Sequence, residues 1–331
     1  MHLNRYAKAA ARVLLHQAGF LRGVRYWNRR KFRILMYHDF PSAPGLQEAL
    51  AKQCAHIKRY YNVVSMTDIG RSLREGSQLP PNALAVTVDD GNRDFLLNAY
   101  PIFHAHQIPV TVFLISGFLD RKFWLWWDQV SYMVGLSRRP TLELCFRKGE
   151  PPVQFILETA EQRQQAGWTI TDVMKEMSEP ARMEALKSLP RLLEVELPSD
   201  PPPHLAPMQW SEVRELAKNG VEVGAHTVTH PILSRIADHA ELVEEIERSK
   251  RRIEEELGRP VLHFNYPYGR WEDFNDETVK VVEQCRFQTA VTAEHGLNSR
   301  AANPFLLRRL SADPIMPEFY FQERLAGLHA G

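Results

Sequence analysis

Apolar segments of four to eight residues alternate along most of the chain with longer segments in which apolar residues recur every three or four positions. This alternation predicts strands and helices that follow one another, and it favours an α/β fold with a mostly parallel sheet covered by helices. Strands are predicted at 32–37, 62–66, 83–88, 109–116, 221–224, 261–264, 288–292 and 306–311. Helices are predicted at 47–60, 93–106, 211–219, 238–257 and 273–285, with Ser211 and Asp238 as N-caps and Gly220 and Gly258 as stops.

A long segment between about residues 119 and 206 interrupts this alternation. It begins with an aromatic run, continues through a polar stretch with helical spacing, and ends in prolines at 201–203 that are typical of a stiff linker. We predict an insertion into the α/β domain that shapes a substrate groove, because loops carry specificity. The tryptophans of the aromatic run either pack internally, which is the more frequent use, or form a platform that stacks on sugars. They are Trp124, Trp126 and Trp127.

Two adjacent carboxylates, Asp89 and Asp90, follow the apolar run at 83–86 and are themselves followed by Gly91. An unpaired charge at the end of a buried strand costs several kcal/mol or shifts its pKa, so the pair requires a partner. A metal ion is one such partner, because it can bind one carboxylate and leave the other free as a base. The alternative is a solvated β-turn, since Asp-Gly is common in turns.

Two histidines spaced four residues apart, His226 and His230, follow the apolar segment at 221–223. Imidazole nitrogen and carboxylate oxygen are both ligands for zinc and its first-row neighbours. The two side chains share a face if the backbone turns helically there, whereas in an extended strand they lie roughly 13 Å apart, too far to share an ion. A metal site therefore requires a loop or helical turn after Val223; the alternative is a structural or surface pair of histidines.

A third segment, from His263 to Trp271, ends a predicted strand in a turn that contains Pro267, Tyr268 and Gly269. Such a turn can present backbone N–H groups to a developing oxyanion, and its aromatic side chains can face a sugar. The alternative is a loop whose aromatic rings pack on the core.

In this order, the three segments resemble the polysaccharide deacetylase family, also called the NodB homology family or carbohydrate esterase family 4. Its first motif, T-[FV]-D-D-G, matches residues 87–91; its second, H-[ST]-x-x-H, matches 226–230; and its third ends in P-Y-G, matching 267–269. The resemblance covers roughly residues 32–313 and is interrupted by the insertion. It implies a distorted (β/α) barrel of about seven strands.

The resemblance also implies a chemistry, the metal-dependent removal of N- or O-acetyl groups from glycans. By this resemblance Asp89 is the general base, the backbone N–H of Tyr268 contributes to an oxyanion site, and three side chains hold the metal. The expected ion is zinc, with cobalt, nickel and manganese as alternatives. The expected metal ligands are Asp90, His226 and His230.

The chain departs from the family pattern at two positions. Where better-known members carry an arginine that orients the base, this chain has Asn265, and its last predicted strand lacks the histidine that acts as general acid. His38 is a candidate acid because it follows the first strand and strand ends cluster in such folds. His295 is a weaker candidate, and His329 belongs to the chain end. Arg308 or Arg309 is a candidate for bracing Asp89.

Charge is balanced overall and uneven locally. The chain has 331 residues and a net charge of +1, which gives no case for nucleic-acid binding. Its three cysteines, Cys54, Cys145 and Cys285, form no disulfide or metal pattern, and we expect buried thiols.

The N-terminal residues 1–33 contain nine Lys or Arg and no Asp or Glu. Residues 1–31 are predicted to form a basic amphipathic helical extension. It either packs its apolar stripe on the barrel or contacts an anionic membrane surface. One side of its helical wheel holds Leu3, Tyr6, Ala7, Ala10, Leu14 and Leu21.

We expect a metal-dependent deacetylase that acts on N-acetylated sugars of a polysaccharide or glycolipid precursor, in a domain spanning 32–331. Two alternatives remain open: an inactive glycan-binding protein on the same scaffold, and a metal-dependent amidase or esterase with another substrate. No secretory signal and no apolar run long enough to span a bilayer is visible, so we expect a cytoplasmic protein, either free or peripheral at the inner membrane face. The oligomeric state is left open.

Overall fold

The computed structural model describes residues 19–146 and 151–328. Its strands are β1 Arg33–Tyr37, β2 Asn62–Val63, β3 Ala83–Val88, β4 Val110–Leu114, β5 Thr141–Leu144, β6 Val153–Ile156, β7 Glu222–Ala225, β8 His263–Asn265, β9 Thr289–His295 and β10 Leu307–Ser311. Seven parallel strands close into a barrel in the order β1-β10-β9-β8-β7-β4-β3, with β3 pairing back onto β1, and β2 extends β3 on the outside. The predicted barrel of about seven strands is therefore confirmed.

Helices follow most of the barrel strands and cover their outer faces. Because both faces of each strand are covered, the strands read as continuous apolar runs, and every residue of β1, β3 and β4 is buried. The α-helices of the described residues outside 121–206 are Phe20–Trp27, Leu46–Tyr60, Met66–Glu75, Tyr100–Ala105, Ser116–Leu119, Trp210–Lys218, His239–Leu257, Asp276–Gln284 and Glu318–Ala326. Those within 121–206 are Trp126–Leu136, Ala160–Lys175 and Glu179–Leu193.

The parallel arrangement decides where the sequence motifs meet. All strands of the barrel run in the same direction, so their C-terminal ends surround one rim. Asp89, His226 and Tyr266 begin the segments that directly follow β3, β7 and β8. The three motif segments therefore lie around the same mouth of the barrel.

Several predicted elements differ from the structure. The strand predicted at 62–66 ends at Val63, because Ser65 and Asp68 form a capping box that starts a helix at Met66. The helix predicted at 93–106 is interrupted by a π-helical turn at Phe95–Ala99. The cap predicted at Ser211 lies at Gln209, whose side chain and Glu212 complete a capping box.

Residues 121–206 form a compact unit of their own, inserted in the chain between β4 and β7. Its described residues form three α-helices and an antiparallel hairpin, β5–β6, that was not predicted. Trp124 is buried, packs edge-on against Tyr132 at 5.5 Å, and donates from Nε1 to the Ser199 carbonyl. This tryptophan packs inside the unit and does not form a sugar platform.

The predicted N-terminal extension is described only from Gly19, the N-cap of the Phe20–Trp27 helix. The stripe from Leu3 to Leu14 lies outside the described residues. Cys54 is buried and Cys285 is half-buried, but Cys145 is exposed, so the expectation of buried thiols is wrong for Cys145. Within residues 19–146 and 151–328, no helix has the length and apolar character needed to cross a bilayer.

Candidate metal and catalytic site

A left-handed turn directs the two adjacent carboxylates after β3 in different directions. The backbone N–H of Asp89 donates to the Tyr37 carbonyl of β1, and the chain then turns with φ values of 73° at Asp90 and 91° at Gly91. A side chain at Gly91 would lie 2.8 Å from Leu114, so both the positive φ and the close packing require glycine. Asp90 lies against the histidine pair and Asp89 against Arg309.

The histidine pair lies on a tight loop after β7. The loop has left-handed residues at Thr227 and His230, with φ of 64° and 62°, so the bend is a loop and not a helical turn. The hydroxyl of Thr227 accepts a hydrogen bond from the backbone N–H of His230 at 3.0 Å. This turn brings the ring centroids of His226 and His230 to 4.7 Å, so the requirement for a bend after the strand is met.

A carboxylate that sequence reasoning missed holds this loop from outside. Glu245, on the His239–Leu257 helix, accepts hydrogen bonds from the backbone N–H groups of Val228 and Thr229, both at 2.9 Å, and from the Thr229 hydroxyl. Burial raises the pKa of Glu245, while these donors act in the opposite direction. The carboxylate therefore fixes the backbone between the two histidines.

Three buried side chains form a group with the composition of a metal site. Single donor atoms of Asp90, His226 and His230 all lie within 4.8 Å of one another. Nε2 of His226 is 3.5 Å and Nε2 of His230 is 3.8 Å from Oδ1 of Asp90. Two imidazole nitrogens and one carboxylate oxygen suit zinc and leave room for further ligands. The donor set therefore fits a divalent ion.

The protonation states of this group also suit a metal. Nδ1 of His226 donates to the Asn265 carbonyl at 2.8 Å, so Nε2 is the ring nitrogen that faces Asp90. Burial, followed by the charge of His226, lowers the pKa of His230 to about 3, which favours neutral imidazole. Burial acts to raise the pKa of Asp90, but hydrogen bonding and the histidine charges outweigh it and lower this pKa.

The second carboxylate is braced by an arginine from β10. Arg309 donates from Nη1 to Oδ1 of Asp89 at 2.7 Å, from Nη2 to Oδ1 of Asn265 at 2.8 Å, and from Nε to the Thr292 carbonyl at 2.7 Å. Burial acts to raise the pKa of Asp89, but the charge of Arg309, the charges of His38 and His226 and the hydrogen bond from Arg309 together outweigh it, and the pKa is lowered. Of the two arginines considered, Arg309 is the brace, and Arg308 is exposed.

His38 lies beside Asp89, with its Nε2 3.4 Å from Oδ2 of the carboxylate and its side chain 45% exposed. His295, the other internal candidate, is the last residue of β9, and His329 lies outside the described residues. The histidine that follows β1 is thus the one placed against the base candidate.

The loop that carries His38 is fixed two residues further on. Asp94 accepts a hydrogen bond from the backbone N–H of Phe40, and the side chain of Asn98 donates to the Phe40 carbonyl, both at 2.6 Å. The Phe40 ring is fully buried and stacks on Tyr37 at 5.7 Å. The helical segment after the first motif therefore holds the backbone next to His38. Sequence reasoning identified neither polar contact.

The third motif segment completes the rim. Tyr268 has a left-handed φ of 58°, and its ring lies 4.7 Å from the ring of His230. Tyr266 is buried and stacks on Phe274, so it belongs to the core. Trp271, in contrast, is 45% exposed, and its backbone N–H donates to Glu294. One aromatic of this turn packs inside and another faces solvent.

The C-terminal rim of a closed (β/α) barrel thus carries an Asp-His-His group and a separate carboxylate with its own arginine partner. The chain belongs to the polysaccharide deacetylase family, whose sequence profile matches residues 76–139 and 153–290, more than half of its length.

Individual relatives agree with this assignment. The putative polysaccharide deacetylase YxkH of Bacillus subtilis (strain 168) is 20% identical over 290 residues, covering 86% of this chain and 73% of that protein. The fold is similar to that of the Streptococcus pyogenes deacetylase PplD, solved in complex with acetate, with a TM-score of 0.57 and 19% sequence identity. The aligned region covers 89% of this chain and 96% of that one. The structure of IcaB from Ammonifex degensii is also similar, with a TM-score of 0.56 and 16% sequence identity. The aligned region covers 90% of this chain and 96% of that one.

Proposed function

We propose that the protein is a metal-dependent deacetylase that removes acetyl groups from N-acetylated sugars of a polysaccharide or glycolipid precursor. One observation supports this most directly: the buried Asp90–His226–His230 group lies beside a second carboxylate, Asp89, that has its own arginine partner. A site that only bound a metal has no evident need for that separate ionised base. The coarser assignment, a deacetylase of the polysaccharide deacetylase family, rests on the sequence match.

Asp90, His226 and His230 would hold the divalent ion, with zinc as the first choice and cobalt, nickel or manganese as alternatives. When bound, the ion lowers the pKa of a coordinated water and polarises the acetyl carbonyl. Asp89 accepts the proton of the attacking water, and its lowered pKa keeps it ionised for that role. Arg309 holds its carboxylate in one orientation.

Two further groups would act on the reacting amide. The backbone N–H of Tyr268 donates a hydrogen bond to the oxygen that gains negative charge as the tetrahedral intermediate forms. His38 transfers a proton to the leaving nitrogen, so that the amine departs neutral. Its position 3.4 Å from Asp89 and its partial exposure support this role, because a group at the rim can reach the departing sugar.

The alternative of an inactive glycan-binding protein rests on the two departures from the family pattern. Arg309 supplies a guanidinium to Asp89 from another strand, and His38, which directly follows β1, places an imidazole 3.4 Å from the same carboxylate. We therefore favour catalysis. A cytoplasmic location belongs to the same proposal.

Metal analysis combined with acetate release from a panel of N- and O-acetylated oligosaccharides tests the proposal. Asp89→Asn should abolish acetate release while the protein still binds metal, and His226→Ala should lose the metal itself. Full activity in metal-free protein would refute the scheme. Bound metal without acetate release from any substrate in the panel would favour the binding protein or another amide or ester substrate.

A further inference from the structure

The Phe20–Trp27 helix exposes large aromatic side chains. Trp27 is 85% exposed, the highest value for a large apolar side chain among the described residues, and Tyr26 and Phe20 are 65% and 45% exposed. The helix is nevertheless anchored, because Leu21 is buried and Asn28, its C-cap, donates to the carbonyl of Ala326 at 3.1 Å. A fixed helix that displays aromatic rings to solvent indicates a binding surface.

Cations occupy the same surface. Residues 19–38 contain six Lys or Arg and no acidic residue. Arg22, Arg30 and Lys31 are exposed beside the aromatic side chains, and the guanidinium of Arg29 lies 3.8 Å from the Tyr26 ring centroid. We call this surface the basic rim and define it by the exposed residues Phe20, Arg22, Tyr26, Trp27, Arg30 and Lys31.

The basic rim lies at the end of the barrel opposite the candidate site. The carbonyl of Arg29 accepts a hydrogen bond from the backbone N–H of Asn82 at 2.7 Å, directly before β3 begins, and β1 begins at Arg33. These are the N-terminal ends of the strands, whereas Asp89 and His38 follow their C-terminal ends. Strands of five or six residues separate the two ends by roughly 16–20 Å at about 3.3 Å per residue. Contact at the basic rim therefore leaves the mouth open.

We infer that the basic rim docks the protein on an anionic lipid surface. The cations complement the negative headgroups, and tryptophan and tyrosine are the side chains that favour the boundary between headgroups and acyl chains. In sequence, the basic composition continues towards the N-terminus through Arg5, Lys8 and Arg12. A nucleic acid is the less suitable polyanion, because the chain as a whole has a net charge of only +1.

Vesicle flotation of the full-length protein tests this inference independently of any catalytic activity. Phosphatidylcholine vesicles are compared with vesicles in which part of the lipid is replaced by phosphatidylglycerol. Two double variants alter the basic rim. Tyr26→Ser with Trp27→Ser removes aromatic rings, and Arg30→Glu with Lys31→Glu reverses charge. A matched control, Arg251→Glu with Lys280→Glu, makes the same change in net charge on exposed positions of two outer helices. Circular dichroism and thermal denaturation check that all variants fold.

Wild-type protein should float with the anionic vesicles and not with pure phosphatidylcholine. Loss of each cation should weaken binding roughly fivefold, so the double charge reversal lowers it by at least about 25-fold. The aromatic variant should bind more weakly at every salt concentration, and the control should match wild type. Three results would each overturn the inference: no flotation with anionic vesicles, equal weakening in the control, or equally tight binding of duplex DNA that is lost in the same variants.

Discussion

Arg309, on strand β10 next to β1, donates a 2.7 Å hydrogen bond to Asp89, although the two residues are 220 positions apart in the chain. The same guanidinium contacts Asn265, which occupies the position where the resemblance led us to expect an arginine. The guanidinium of this site therefore comes from β10, and the residue on β8 accepts one of its hydrogen bonds. The orienting group is present, but it is supplied by a different strand.

Replacing Arg309 with Met should impair both catalysis and stability. Removing one partner of a buried ion pair destabilises a protein by about 3–5 kcal/mol, because Asp89 stays buried without its counter-charge. The positive charge lowers the pKa of Asp89, so its loss raises that pKa and moves the acidic limb of the kcat/KM profile to higher pH. Profiles of acetate release against pH, together with urea denaturation, measure the two effects.

A relocation variant separates the position of the charge from its presence. Asn265→Arg combined with Arg309→Asn places the guanidinium on β8, and it should recover part of the activity that Arg309→Asn alone loses. Wild-type activity and an unmoved acidic limb in Arg309→Met would show that the contact does not serve the base.

His38→Gln should affect substrates according to their leaving groups. An amine must be protonated as it leaves, whereas p-nitrophenolate departs without help from an acid. If His38 is the general acid, the variant should lose about 100-fold or more in kcat on an N-acetylated oligosaccharide and much less on p-nitrophenyl acetate. Metal content should stay at the wild-type level, because His38 is outside the Asp-His-His group. Equal losses on both substrates would assign His38 a structural or binding role.

Glu245→Ala should weaken metal binding without touching a proposed ligand. The carboxylate accepts three hydrogen bonds from the loop between His226 and His230, and loss of such outer contacts lowers metal affinity about 10–100-fold. The adjacent Glu244 provides a matched control, since it is about half exposed and pairs with Arg248 on the helix surface. Competition with a chromogenic chelator gives the affinity. Equal metal affinity of Glu245→Ala and Glu244→Ala would contradict the assigned role.

The barrel strands and the motif residues were predictable because their signals are local. The apolar run predicted both ends of β3 correctly, and Gly258 ends the His239–Leu257 helix as predicted. The helix at Met66 was also encoded locally, by a Ser-x-x-Asp capping box that was missed. The closure of the barrel came from the family resemblance, since periodicity is the same in open and closed sheets.

The residues that support the site were not predictable in this way, because their contacts depend on strand order and register. Arg308 and Arg309 are adjacent, and in a strand adjacent side chains point to opposite faces, so only the pairing of β10 decides which one faces Asp89. Asp94 reaches Phe40 across 54 positions of the chain. Contacts between residues so far apart in the chain leave no recognisable pattern in a single sequence.

Asp94 gives a prediction about the pH dependence of stability. Burial, with smaller contributions from Asp39 and Asp90, raises the pKa of Asp94 from 3.8 to about 7, although the backbone N–H of Phe40 acts against the shift. The folded state then binds a proton more tightly than the unfolded chain between about pH 4 and pH 7. Folding stability is therefore lost as the pH rises through this window, by an amount on the order of 4 kcal/mol as an upper limit.

Asp94→Asn should remove this loss, because the amide stays neutral and its oxygen can still accept the hydrogen bond from Phe40. The free energy of unfolding of the variant, relative to wild type, should increase between pH 4 and pH 7 and stay constant above that range. Urea denaturation of both proteins at pH 5 and pH 8 measures the difference. Asp94→Ala should show the same trend with pH at lower stability throughout, because it also loses the acceptor for Phe40. A relative stability of Asp94→Asn that falls or stays constant with rising pH would mean that Asp94 is ionised in the folded protein at low pH.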